Sequence, residues 1–160
     1  MAPLTLRTIG DTQIEVTRTF AAPPELVFRA HLEPELVSQW LTGPDGWSMS
    51  ECISDTRPGG HIRYAWRNDE GHSFHLTGEF HVIEPHSRIV HVERMFLPDP
   101  TPDNHVETRF FADGSGTRIV MLMTVPDAET RAAMLATGMT DGMEASYARL
   151  EQQIVAQQVH

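Results

Sequence analysis

His91 and Glu93 lie two residues apart in the stretch Ile89–Met95 (IVHVERM). If that stretch is extended, the two side chains share a face with Ile89. An imidazole and a carboxylate on one strand could hold a polar ligand or act as general acid and base, because burial draws both pKa values toward neutrality. The competing register turns Val90, Val92 and Arg94 inward and leaves the pair in solvent; a slip of one residue decides. His72, His75, Glu79, His81 and His86 carry the donor atoms of a zinc or iron site. However, His72-x-x-His75 straddles a turn and lacks helical zincin spacing. His75, Glu79 and His81 also alternate against Phe74, Leu76 and Phe80, which places them on the solvent side of a strand. Neither a metal nor a cofactor is expected. Arg57-Pro-Gly-Gly60 has the glycines of a phosphate loop but precedes a strand instead of a helix, so it reads as a turn needing positive φ. The single cysteine, Cys52, excludes an intrachain disulfide and multi-thiolate metal clusters, and reads as a small buried side chain. All 12 basic residues are arginine, which excludes Schiff-base chemistry on lysine.

The elements that must position these residues follow from hydrophobic period. Ile14, Val16 and Phe20 alternate with polar neighbours over 13–20, a half-buried strand. Pro23 and Pro24 open a short helix to Leu32, and Pro34 opens a second that ends at Trp40. Strands follow around Trp47–Glu51, Ile62–Trp66, Phe74–Val82 and Ile89–Met95, then Val106–Phe111 and Thr117–Val125 joined through Asp113-Gly-Ser-Gly116. The period changes after Pro126: Leu135, Met139, Met143, Tyr147, Leu150 and Ile154 recur at helical steps, with Asp127 as N-cap. Gly138 and Gly142 leave open whether that helix bends or breaks. The fold class expected is therefore α+β: an antiparallel sheet of six or seven strands gripping a long C-terminal helix, with two short helices after the first strand.

A chain of 160 residues with 40 % hydrophobic content suits one domain with its own core. A net charge of −10 argues against binding nucleic acid or an anionic membrane surface. The N-terminal residues lack the apolar core of a secretory signal, and the longest aliphatic run, Ile119–Met123, is too short to span a bilayer. A cytoplasmic location is expected. A homodimer is compatible with this size, although no residue pattern marks one.

Six segments in order carry a family resemblance: Phe20–Ala30 (FAAPPELVFRA) with Glu33–Leu36 and Trp40; Asp55–Gly60 (DTRPGG); Gly78–Phe80; Glu84–Val90; Gly116–Ile119; and Gly138–Met143 with Leu150. Over about residues 13–155 the chain resembles homologues of the activator of heat-shock-protein-90 ATPase, within the START-like (SRPBCC) superfamily. The resemblance implies a helix-grip fold with a cavity between sheet and C-terminal helix, and admits a chaperone as partner. Relatives tend to carry Phe and then Trp where this chain has His91 and Glu93. Tyr64, Trp66, Phe74, Leu76 and Phe80 would line the concave face, Met139 and Met143 would face them, and Trp40 and Trp47 would close the mouth. A small, largely apolar ligand is the function expected, with His91 and Glu93 orienting it. A cyclase- or hydrolase-like enzyme using either residue as acid or base is the alternative, and a co-chaperone-like interaction module a third reading.

Overall fold

A computed structural model of the chain describes residues 3–159. The elements run β1 (Thr5–Ile9), β2 (Gln13–Phe20), α1 (Pro24–Leu32), α2 (Pro34–Trp40), β3 (Trp47–Ser54), β4 (His61–Asn68), β5 (Ser73–Glu84), β6 (Arg88–Phe96), β7 (Asn104–Asp113), β8 (Gly116–Thr124), α3 (Ala128–Ala136) and α4 (Met139–Val159). All eight strands form one antiparallel sheet in the order β1-β2-β8-β7-β6-β5-β4-β3. The α+β helix-grip architecture matches expectation, with one strand more. That strand, β1, was not read because Thr5–Ile9 is mostly exposed and has little hydrophobic alternation. The two short helices consequently follow the second strand and carry the chain from β2 to β3 at the far edge.

Alternation builds one buried face. Ile14, Val16 and Phe20 on β2 share it with Ile62, Tyr64 and Trp66 on β4, and with Val106 and Phe110 on β7. Tyr147, Leu150 and Ile154 of α4 join the same cluster. Two bulges correct the period-two reading. On β5 the register shifts between Phe80 and Val82, so Ile83, paired with Ile89, packs on the core in the place expected of Val82. On β3 it shifts between Met49 and Glu51. Cys52 then packs on the core, while Glu51 pairs with Arg63 at 2.9 Å. An extra residue in one strand inverts every face after it.

α4 is held to the sheet by charge as well as by apolar contact. Arg18, on the buried face of β2, has a side chain only 3 % exposed and reaches Glu144 at 3.0 Å and Glu151 at 3.6 Å. Breaking such a buried pair from one side costs about 3–5 kcal/mol. Glu144 also accepts from the Leu4 amide, and Glu151 from the Ala21 amide. At the other side Arg149 donates to the Trp40 and Gly43 carbonyls. The question left open at Gly138 resolves as a break: the residue takes φ +77° between α3 and α4. Asp127 caps α3 as expected, accepting from the Thr130 amide at 2.7 Å.

Candidate functional site

Pairing across the sheet decides the register of β6. Phe80 and Val106 flank His91, and Gly78 and Asn104 flank Glu93. Phe80, Val106 and Asn104 are buried on the core side, so Ile89, His91 and Glu93 face inward. Arg94 on the opposite face is exposed and pairs with Asp103 at 2.8 Å.

His91 Nε2 lies 2.7 Å from Glu93 Oε1. An ionised carboxylate only accepts, so Nε2 donates to it, which in the neutral ring leaves Nδ1 as a lone pair. That Nδ1 is shut off from solvent without a protein partner, as is Asn104 Oδ1. A second imidazole enters from α1. His31 Nδ1 lies 2.7 Å from the Val27 carbonyl and donates to it, leaving Nε2 as a buried lone pair with no protein partner. Burial pushes the His31 pKa down to about 4; the Val27 hydrogen bond opposes the shift and nearby His91 adds to it. His31 is therefore a neutral acceptor at neutral pH. Each buried acceptor without a donor costs roughly 1–3 kcal/mol. A ligand bearing donors would recover that energy.

The surroundings are aromatic. Trp40 and Phe110 each meet the His31 ring edge-on at 5.3 Å, Tyr147 lies 6.4 Å away, and Phe80 meets His91 at 6.3 Å. Burial holds the phenols of Tyr64 and Tyr147 above their usual range. The Glu93 charge adds to both, so the carboxylate reaches the same interior region as the two hydroxyls. Solvent reaches the group at His91 and Glu93, whose side chains are 18 % and 26 % exposed. The arrangement offers an imidazole base oriented by a carboxylate, in a largely apolar interior.

Residues 21–154 match the family described as Activator of Hsp90 ATPase homolog 1-like protein. The chain belongs to this family. A solved structure of a protein from Rhodobacter sphaeroides is 30 % identical, with a TM-score of 0.91 over 97 % of this chain and 99 % of that one. A Nitrosomonas europaea protein shares 24 % identity with a TM-score of 0.83, covering 96 % of this chain and 100 % of its own. A Mycobacterium smegmatis protein shares 20 % identity with a TM-score of 0.83, covering 94 % and 96 %. No curated protein matches the chain.

In this family member the expected lining residues divide into two groups. Tyr64, Leu76 and Phe80 share the buried face with His91 and Glu93, and the register joins Tyr64, Leu76 and Met95 in one row. Trp47, Phe74 and Trp66 cluster with ring centroids 5.2 Å and 4.8 Å apart, and Trp66 joins this cluster to Tyr64 edge-on at 6.1 Å. The Trp66 indole N–H is spent on the Leu41 carbonyl at 2.8 Å. Met139 and Met143 are half-buried against the core. Trp40 does not stand at a mouth: it is 5 % exposed, donates to the Ala30 carbonyl at 2.9 Å and stacks on Tyr147. An indole that bolts α2 to α1 is unavailable as a lid.

His31 and Asn104 were not singled out from sequence, although signals existed. His31 follows Val27 by four residues and so lies on the stripe of α1 that packs inward. Asn104 continues the period of Val106 and Phe110, but beginning the strand at Val106 excluded it. Of the outer-face histidines, His81 is exposed and His75 stacks on Phe96 at 4.4 Å. Among the described residues no three His, Cys, Asp or Glu side chains converge as a metal site would require. A surface depression of about 430 Å³ lies on this outer face around Glu79, Val92 and His105.

Proposed function

We propose that the protein binds a small, largely apolar molecule carrying a hydrogen-bond donor, at the inner face beside His91 and Glu93. The observation that carries this reading is the buried His91 Nδ1, an acceptor without a protein donor in an otherwise apolar wall. Phe80 and Val106 flank it. Apolar burial contributes about 25 cal/mol per Å² before ordering costs, and the acceptor fixes which end of the molecule enters. Native mass spectrometry of gently purified protein, with a titration of the neutral dye Nile red, tests it. A small molecule released on denaturation, or saturable dye binding weakened in His91→Phe, is expected. Protein at its bare mass together with no saturable dye binding would sink the reading.

A second reading rests on the 2.7 Å contact of His91 with Glu93. A carboxylate that fixes the imidazole tautomer makes Nδ1 a general base, as a cyclase or hydrolase would use it. A bell-shaped pH–rate profile on a turned-over ligand, abolished in His91→Ala, distinguishes that enzyme from a carrier.

A further inference from the structure

We propose that the molecule bound at the inner face presents a protonated amine as its head group; this rests on the ligand-binding reading above. The unpartnered buried polar atoms around His91 and Glu93 are acceptors. His31 Nε2 is left as a lone pair by the hydrogen bond of Nδ1 to the Val27 carbonyl, and His91 Nδ1 is one in the neutral ring whose Nε2 donates to Glu93. Neither has a protein donor. Glu93 adds a carboxylate whose side-chain partner among the described residues is this imidazole and not an arginine.

An ammonium ion supplies up to three donors and one positive charge, and no acceptor. It matches lone pairs and a carboxylate together, where a hydroxyl matches only the lone pairs. Aromatic rings complement the cation further, since Phe80 and Tyr147 stand beside the two imidazoles and ring faces attract cations. A carboxylate head is the opposite case. It would meet Glu93 and two lone pairs, while the guanidinium groups on either side are engaged: Arg18 by Glu144 and Glu151, Arg149 by the Trp40 and Gly43 carbonyls. The net charge of −10 draws cations toward the molecule as a whole. The two imidazole nitrogens are closed to solvent in this structure, so occupancy displaces side chains now packed against them. Affinity therefore reports the head group after that common cost.

Isothermal titration of the full chain at neutral pH with 2-phenylethylamine, 2-phenylethanol and phenylacetate isolates the head group on one body. The amine is expected to bind about tenfold more tightly than the alcohol, and phenylacetate more weakly than either. Glu93→Gln keeps the shape of a partly exposed side chain; it should bring amine and alcohol together, the amine losing more affinity than the alcohol. Equal binding of amine and alcohol by the native chain overturns the amine assignment and leaves the ligand reading standing. Phenylacetate binding most tightly also overturns it. An amine preference undiminished in folded Glu93→Gln overturns the placement at this site. No binding of any of the three overturns the inference, and the Nile red titration then separately decides the ligand reading.

Discussion

At the scale of single residues, His31 carries a consequence for stability that is independent of any ligand. Its folded pKa of about 4 lies below the ordinary histidine value of 6.5, chiefly because the ring is buried. Below pH 6.5 the unfolded chain takes up a proton that the folded chain refuses, so stability falls as pH drops toward 4 and the loss then saturates. Between pH 7.5 and 4.5 this one group should account for roughly 2–3 kcal/mol of lost stability. Urea unfolding of the native chain and of His31→Gln at both pH values measures it. The native chain should lose more than the variant by about that amount. Parallel pH dependences would mean that His31 becomes protonated in the folded state. The two inward histidines differ in how they reach the interior. His91 is placed by a strand register legible from period two once its neighbours are known to be buried, whereas His31 needs the helix stripe and its packing against Phe110 and Tyr147. No local pattern announces that packing.

At the scale of elements, the sequence carries the strands and helices well where one face is apolar, and fails where a single inserted residue or one exposed segment breaks the pattern. The alternation of β2 and β4 was legible because every second residue enters the core. Even so, that alternation includes Arg18, whose burial depends on Glu144 and Glu151 more than 120 residues away. The bulges in β3 and β5 leave no compositional mark, so Glu51 and Ile83 take the faces opposite to those their spacing implies. The C-terminal helical segment is the sharpest case, because two glycines spaced like one another do different work. Gly138 adopts φ +77° and ends α3, while Gly142 lies within the first turn of α4 with ordinary dihedrals. A Cβ at either meets nothing within 4 Å, so backbone conformation alone separates them. Gly138→Ala should destabilise by about 1 kcal/mol through the left-handed backbone. Gly142→Ala should stabilise by up to about 1 kcal/mol through helix propensity. Thermal melts of the two variants should shift in opposite directions; a loss of stability in both would show that α4 does not begin where the structure places it.

At the scale of the whole molecule, the grip of sheet on helix is uneven. The later part of α4 carries Tyr147, Leu150 and Ile154 into the core and is clamped through Glu151 and Arg149. By contrast, α3 buries no residue fully. It is tied to the β1–β2 turn by Arg131, which donates to the Gly10 carbonyl at 2.7 Å. Segments with few buried contacts open locally at low free energy, whereas central strands exchange only on global unfolding. Amide hydrogen exchange should therefore rank α3 and the first turn of α4 as least protected among the helices. The strands β2, β8 and β7, central to the largest apolar face, should be most protected. Because the inner acceptors are closed to solvent, admission of a ligand requires some local opening, and an entry route through this weakly buried corner has a testable signature. Ligand binding should then slow exchange in α3 and the start of α4 more than in β2. Protection of α3 equal to that of β8 in the free protein would remove this route and leave the exposed edge at His91 and Glu93 as the way in.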